Sequence, residues 1–69
     1  MNKAKLRDNL LKYSAGTTQA AVARELNVTP AAVHRWYSGE RIPTLYAGYR
    51  LCKFLGITVE QLMEGVVDE

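Results

Sequence analysis

Apolar residues recur along this chain at intervals of three and four, the repeat of a helix face, and no segment shows a good two-residue strand alternation. Over residues 3–13, Leu6, Leu10 and Tyr13 share one face and Leu11 widens it. Ser14-Ala15-Gly16 closes that segment, with Gly16 free to take a left-handed cap. A second helix starts near Thr18, whose hydroxyl can cap the first-turn amides, and turns Val22, Ala23 and Leu26 inward. Asn27 then suits a left-handed turn better than any other non-glycine residue, and Val28 points back between helices.

Thr29-Pro30 is a strong start signal for a third helix, because proline at the first helical position lacks only an amide that has no partner there. Val33 and Trp36 face inward and Gly39 stops the helix. Thr44 caps a fourth, whose inner face reads as Leu45, Gly48, Cys52 and Leu55, with Gly56 at its end. A glycine inside a helix costs about 1 kcal/mol against alanine. Gly48 is therefore expected where another helix approaches closely. Thr58 and Gln61 have the spacing of a capping box for a short fifth helix carrying Leu62 and Met63. The expected fold is all-α, five helices in one domain over residues 1–69, with connections of the length usual in a compact bundle.

Composition narrows the classes of function. With one cysteine, Cys52, no disulfide can form within the chain, and its apolar neighbours Leu51, Phe54 and Leu55 make it a core residue of a reducing compartment. No secretory signal or membrane span is visible, so a cytoplasmic location is expected. Paired carboxylates, a glycine-rich phosphate loop and a Ser/His/Asp set are all missing, which argues against an enzyme. His34 is the sole histidine and has no cysteine pair beside it, so no metal or other cofactor is expected. The net charge of +2 conceals a split. Residues 1–53 hold all nine bases and three acids, a net of +6, whereas residues 54–69 hold four acids and no base, a net of −4. A basic body with an acidic tail suits a polyanionic partner.

The second and third helices, residues 19–38, are short and joined by a tight turn, the layout of a helix-turn-helix. Ala23 is small where the two helices press together, and Val22, Leu26, Val33 and Trp36 can fix their angle. The run from Gly16 to Met63 resembles the phage Cro/C1 repressor-type, or XRE-type, helix-turn-helix family. The resemblance rests on GTTQAAVARELNV, TPAAVHRWYSGERIP and TLYAGYRLCKFLGITVEQLM, and above all on Thr-Gln opening helix two, Val-x-x-Trp in helix three, Gly-x-x-x-Pro after it and Leu-Gly-Ile-Thr before the last helix.

That resemblance implies a five-helix, lambda-repressor-like domain that binds operator DNA as a homodimer, with no small-molecule ligand. It puts Pro30, Ala31, His34 and Arg35 at base-reading positions. It puts Gln19, Thr18, Thr29, Ser38 and Arg41 at phosphate contacts, with Tyr37, Lys5 and Lys12 as further candidates. Pro30 and Ala31 depart from the polar pair common in the family. Neither can bond adenine bidentately, which leaves hydrogen-bonded readout to Arg35 and His34. Met63, Val66 and Val67 exceed what a short final helix needs to bury, so residues 59–69 are read as a dimerisation tail. Tyr13, Tyr46 and Tyr49 are read as packing residues. The rival reading is a helical protein-interaction module, antitoxin- or controller-like, with weak or no DNA binding.

Overall fold

Each helix of this chain begins at a polar side chain that accepts a first-turn amide. In the computed structural model, which describes residues 1–67, Asn2 caps α1 (Lys3–Tyr13), Thr18 caps α2 (Gln19–Leu26) and Thr29 caps α3 (Pro30–Ser38). Thr44 caps α4 (Leu45–Leu55), and Thr58 with Gln61 forms the full capping box of α5 (Val59–Met63). Such caps satisfy amides that the helix itself leaves unpaired. Asn27 ends α2 in the left-handed conformation (φ 55°) and sends the chain straight into the cap of α3. The described residues form five helices and no strand.

The helices close into a ring. α1 packs on α3 and α5, α2 packs on α3 and α4, and α4 packs on α5. Every helix sends side chains to the shared centre: Leu6 and Leu10, Val22 and Leu26, Val33 and Trp36, Leu51 and Cys52, then Leu62. Burial of the Cys52 thiol raises its pKa above the usual thiol range, so it stays protonated and inert as a small core residue.

Two polar side chains stitch the ring. Asn9, buried on α1, donates from Nδ2 to the carbonyls of Leu62 (2.8 Å) and Glu64 (2.9 Å) and so ties down the end of α5. Arg50 reaches from α4 to the C-terminal carbonyls of α2, Leu26 (2.9 Å) and Glu25 (3.0 Å), which fixes the rotation of α4.

Several expectations need correction. α1 ends at Ser14, whose amide bonds to the Leu10 carbonyl, and Gly16 does not adopt a positive φ. Leu11 is exposed because α1 is already flanked by α3 on one side and α5 on the other. The inner face of α4 is Ala47, Leu51 and Cys52, while Leu45 is 92% exposed. Two overlapping apolar stripes run along α4, and the Arg50 bonds to α2 select the one that begins at Ala47. A Cβ on Gly48 would meet nothing within 4 Å, so no helix of its own chain approaches it. Tyr46 and Tyr49 are exposed rather than packed. Val66 is fully enclosed within its own chain, and its carbonyl accepts the Asn2 amide at 2.8 Å. Its side chain belongs to the monomer core and is not available to a partner. The acidic residues Asp68 and Glu69 lie outside the described residues.

Candidate nucleic-acid interface

The third helix divides lengthwise into two chemically different stripes. Val33, Trp36 and Tyr37 are buried, whereas Pro30, Ala31, His34, Arg35 and Ser38 are exposed. At 3.6 residues per turn the exposed set spans about 140° of the helix circumference. That is enough for a rod held by one side to present the other to a groove. The four positions expected to read bases therefore lie together on one outward face. What fixes α3 beneath them is its packing on both α1 and α2, with Ala23 buried where α2 contributes to the core.

Arg35 is half exposed and its Nε lies 3.4 Å from Glu40 Oε2. Exposed pairs of this kind are worth only about 0–1 kcal/mol, so a guanine edge or a phosphate can replace Glu40 at little cost. The backbone below Arg35 is better fixed. Its carbonyl accepts the amides of Glu40 (3.0 Å) and Arg41 (3.1 Å) and the Ser38 hydroxyl (3.1 Å). This closes the end of α3 over Gly39, whose left-handed φ of 83° lets the chain reverse there. The Glu40 partner escaped the reading of the sequence, although an acid five residues after an arginine and just beyond a glycine stop was the available signal.

At the flank, Thr18 and Gln19 stand exposed at the start of α2, where first-turn amides and the positive end of the helix dipole suit an anion. Thr18 and Thr29 each use the hydroxyl oxygen to accept a cap amide at 3.1 Å, which leaves the hydroxyl hydrogen available for a phosphate oxygen. Arg41 is exposed in the loop that follows α3. Ser38 is exposed, but its hydroxyl hydrogen is spent on the Arg35 carbonyl. Lys12 is exposed with its Nζ 5.2 Å from the Tyr13 ring centre.

Two expected phosphate contacts are displaced. Tyr37 is buried, and its hydroxyl lies 2.6 Å from Ser14 Oγ, locking α3 to the end of α1. Burial raises the Tyr37 pKa above the ordinary 10.0, against a smaller lowering by the Ser14 bond. The residue is a neutral internal strut and cannot reach a phosphate from there. Lys5 lays its stem over Gly65, where a Cβ would stand 2.9 Å from Lys5 Cε, on the side of α1 that faces α5. On the other side of α1, Arg7 lies against Gly39 at the end of α3, with its Cδ 3.5 Å from where a Cβ would stand. Arg7 is also bonded to Asp8 at 3.0 Å. Arg7, which was not among the expected contacts, is thus the cation of these two that lies beside α3.

No group of three His, Cys, Asp or Glu residues is placed to hold a metal, and no helix is long and apolar enough to cross a membrane, among the described residues. Compared with known families, residues 8–62 match the helix-turn-helix model of Cro/C1 type. No curated protein and no solved structure gives a match.

Proposed function

The chain belongs to the Cro/C1-type helix-turn-helix family of DNA-binding regulators, and from that premise we propose that it is a sequence-specific repressor acting on a palindromic operator as a homodimer. The observation that carries this reading is the division of α3, with Pro30, Ala31, His34 and Arg35 outward and Val33, Trp36 and Tyr37 clamped into the core. The outward stripe enters the major groove. Arg35 bonds O6 and N7 of a guanine, His34 bonds an adjacent base edge, and Pro30 with Ala31 gives apolar contact such as a thymine methyl accepts. Thr18, Gln19, Thr29 and Arg41 hold the flanking phosphates and set the register. Two copies present two such helices roughly 34 Å apart, one turn of duplex. The role is non-enzymatic, needs no cofactor, and is exercised in the cytoplasm of a bacterium or an infected cell.

Selection of bound sites from a random duplex library tests the proposal. The expected result is an inverted repeat with half-site centres about ten base pairs apart. Affinity for the selected site should fall with salt, with log K against log [salt] sloping by about −0.9 for each phosphate neutralised. Gln19→Ala should weaken binding to all sequences to a similar degree, because a phosphate contact carries no sequence information. Absence of any enriched site, or binding indifferent to salt, would favour a helical protein-interaction module instead.

A further inference from the structure

The turn after α3 brings an acid back alongside the reading arginine. Gly39, at φ 83°, reverses the chain, and the amides of Glu40 (3.0 Å) and Arg41 (3.1 Å) both close on the Arg35 carbonyl. Arg7 of α1 packs against the same glycine, its Cδ 3.5 Å from where a Cβ would stand. The backbone of Glu40 is thus pinned to Arg35 itself, and its side chain needs only the right rotamer to meet the guanidinium. Its Oε2 lies 3.4 Å from Arg35 Nε. By charge alone an acid is out of place here, because a carboxylate repels the phosphates that its neighbour Arg41 is proposed to hold.

We propose that Glu40 is a positioning residue for Arg35, one that raises the preference of that arginine for a guanine over a phosphate. The inference rests on the reading of Arg35 as a base contact and deepens it. Glu40 meets the guanidinium at Nε, the nitrogen nearest the stem. The two terminal nitrogens lie at the far end of the group, and their N–H bonds can engage O6 and N7 of one guanine. A guanine can therefore be bound with Glu40 still in place, although the pair is weak enough to yield. An arginine without that partner has more rotamers to lose on docking, so prior alignment favours the geometry that reads a base. A phosphate is treated differently. It is an anion, and in drawing the Arg35 side chain to itself it also meets the Glu40 carboxylate. The edge of a guanine bears no net charge and incurs little of that repulsion. The pair thus adds little to stability yet separates two DNA ligands of the same arginine.

Competition binding of the whole chain tests this, with the selected duplex, its single-pair variants and a random-sequence duplex as ligands. Glu40→Ala should lower discrimination at the Arg35 base pair by about two- to fivefold, the scale of an exposed ion pair, and leave other positions of the site unchanged. Affinity for the random duplex should rise by at least about twofold at low salt, since an acid has left the surface that faces phosphates. Glu40→Gln keeps an oxygen that can accept from Nε. It should retain more of the base discrimination than Glu40→Ala does, while raising random-duplex affinity as much. The Glu40 side chain is exposed, so both variants should hold the thermal midpoint within about 2 °C of the wild type. In an Arg35→Ala background, Glu40→Ala should no longer alter preference at that base pair. An equal loss of affinity for every duplex would overturn the role of Glu40. So would discrimination that Arg35→Ala abolishes and Glu40→Ala leaves intact, and either result lets the base reading stand. If Arg35→Ala itself left the ranking of sites unchanged, the base reading would fall and this inference with it.

Discussion

Trp36→Ala is expected to leave the domain largely unfolded at physiological temperature. The indole is buried in the shared centre, where, among the described residues, only thirteen buried apolar residues hold five helices together. Removing a buried tryptophan costs about 3–5 kcal/mol, from lost transfer energy and from the cavity left behind. A domain of this length has roughly 3–10 kcal/mol in total at the usual stability per residue. The deficit should lower the thermal midpoint by at least about 15 °C. It should also remove DNA binding, because Trp36 lies on the buried side of the helix that carries the proposed reading face. Thermal unfolding followed by circular dichroism checks this. A midpoint lowered by less than about 4 °C, the effect of a change near 1 kcal/mol, would show that the ring does not wedge α3 in place.

Arg35→Ala should act in the opposite way, sparing the fold and altering the readout. The side chain is half exposed, and its ion pair to Glu40 is of the weak surface kind. The thermal midpoint should therefore stay close to the wild type. Discrimination at one base pair in each half-site should fall by about 1–3 kcal/mol, a factor of roughly 5–150. Other positions of the site should keep their preference. Arg35→Lys should not restore the lost discrimination, since an ammonium lacks the planar fork that engages two acceptors of one guanine. Competition binding with sites substituted one pair at a time gives the answer. An unchanged ranking of sites would remove Arg35 from the reading face.

Element boundaries were legible because caps and stops are local chemistry. Thr18, Thr29, Thr44 and Thr58 each start a helix, and Asn27, Gly39 and Gly56 each end one in the left-handed conformation. Such signals need no knowledge of the rest of the chain. The rotation of α4 was not legible. Its two apolar stripes are equally periodic, and the choice between them was made by Arg50 bonding to α2 carbonyls twenty-four and twenty-five residues away. Asn9 is a similar case, a polar residue on an apolar face whose partners lie more than fifty residues along the chain.

The stripe on α3 was legible because Val33 and Trp36 pin the helix phase and put Arg35 and His34 on the other side. Tyr37 was misplaced by the same periodicity, being adjacent to Trp36 but turned toward Ser14 of α1 by a hydrogen bond that spans twenty-three residues. The surplus of apolar residues near the C-terminus pointed to a tail interface. Val66 instead completes the monomer core, whereas Val67 is exposed and further exposed apolar residues lie on α4. The exposure on α4 was missed because Leu45 was assigned to the core.

The central claim is that the exposed stripe of α3 is the part of this chain that touches duplex DNA. An NMR titration of isotope-labelled protein with its selected duplex tests it most directly, since amide shifts report contact residue by residue. The largest changes should fall at residues 29–35, at Thr18 and Gln19, and at Arg41, with little change around Leu45, Tyr46 and Tyr49. If the shifts instead gathered on α4 and α5 while α3 stayed unmoved, the recognition helix would have been assigned to the wrong surface.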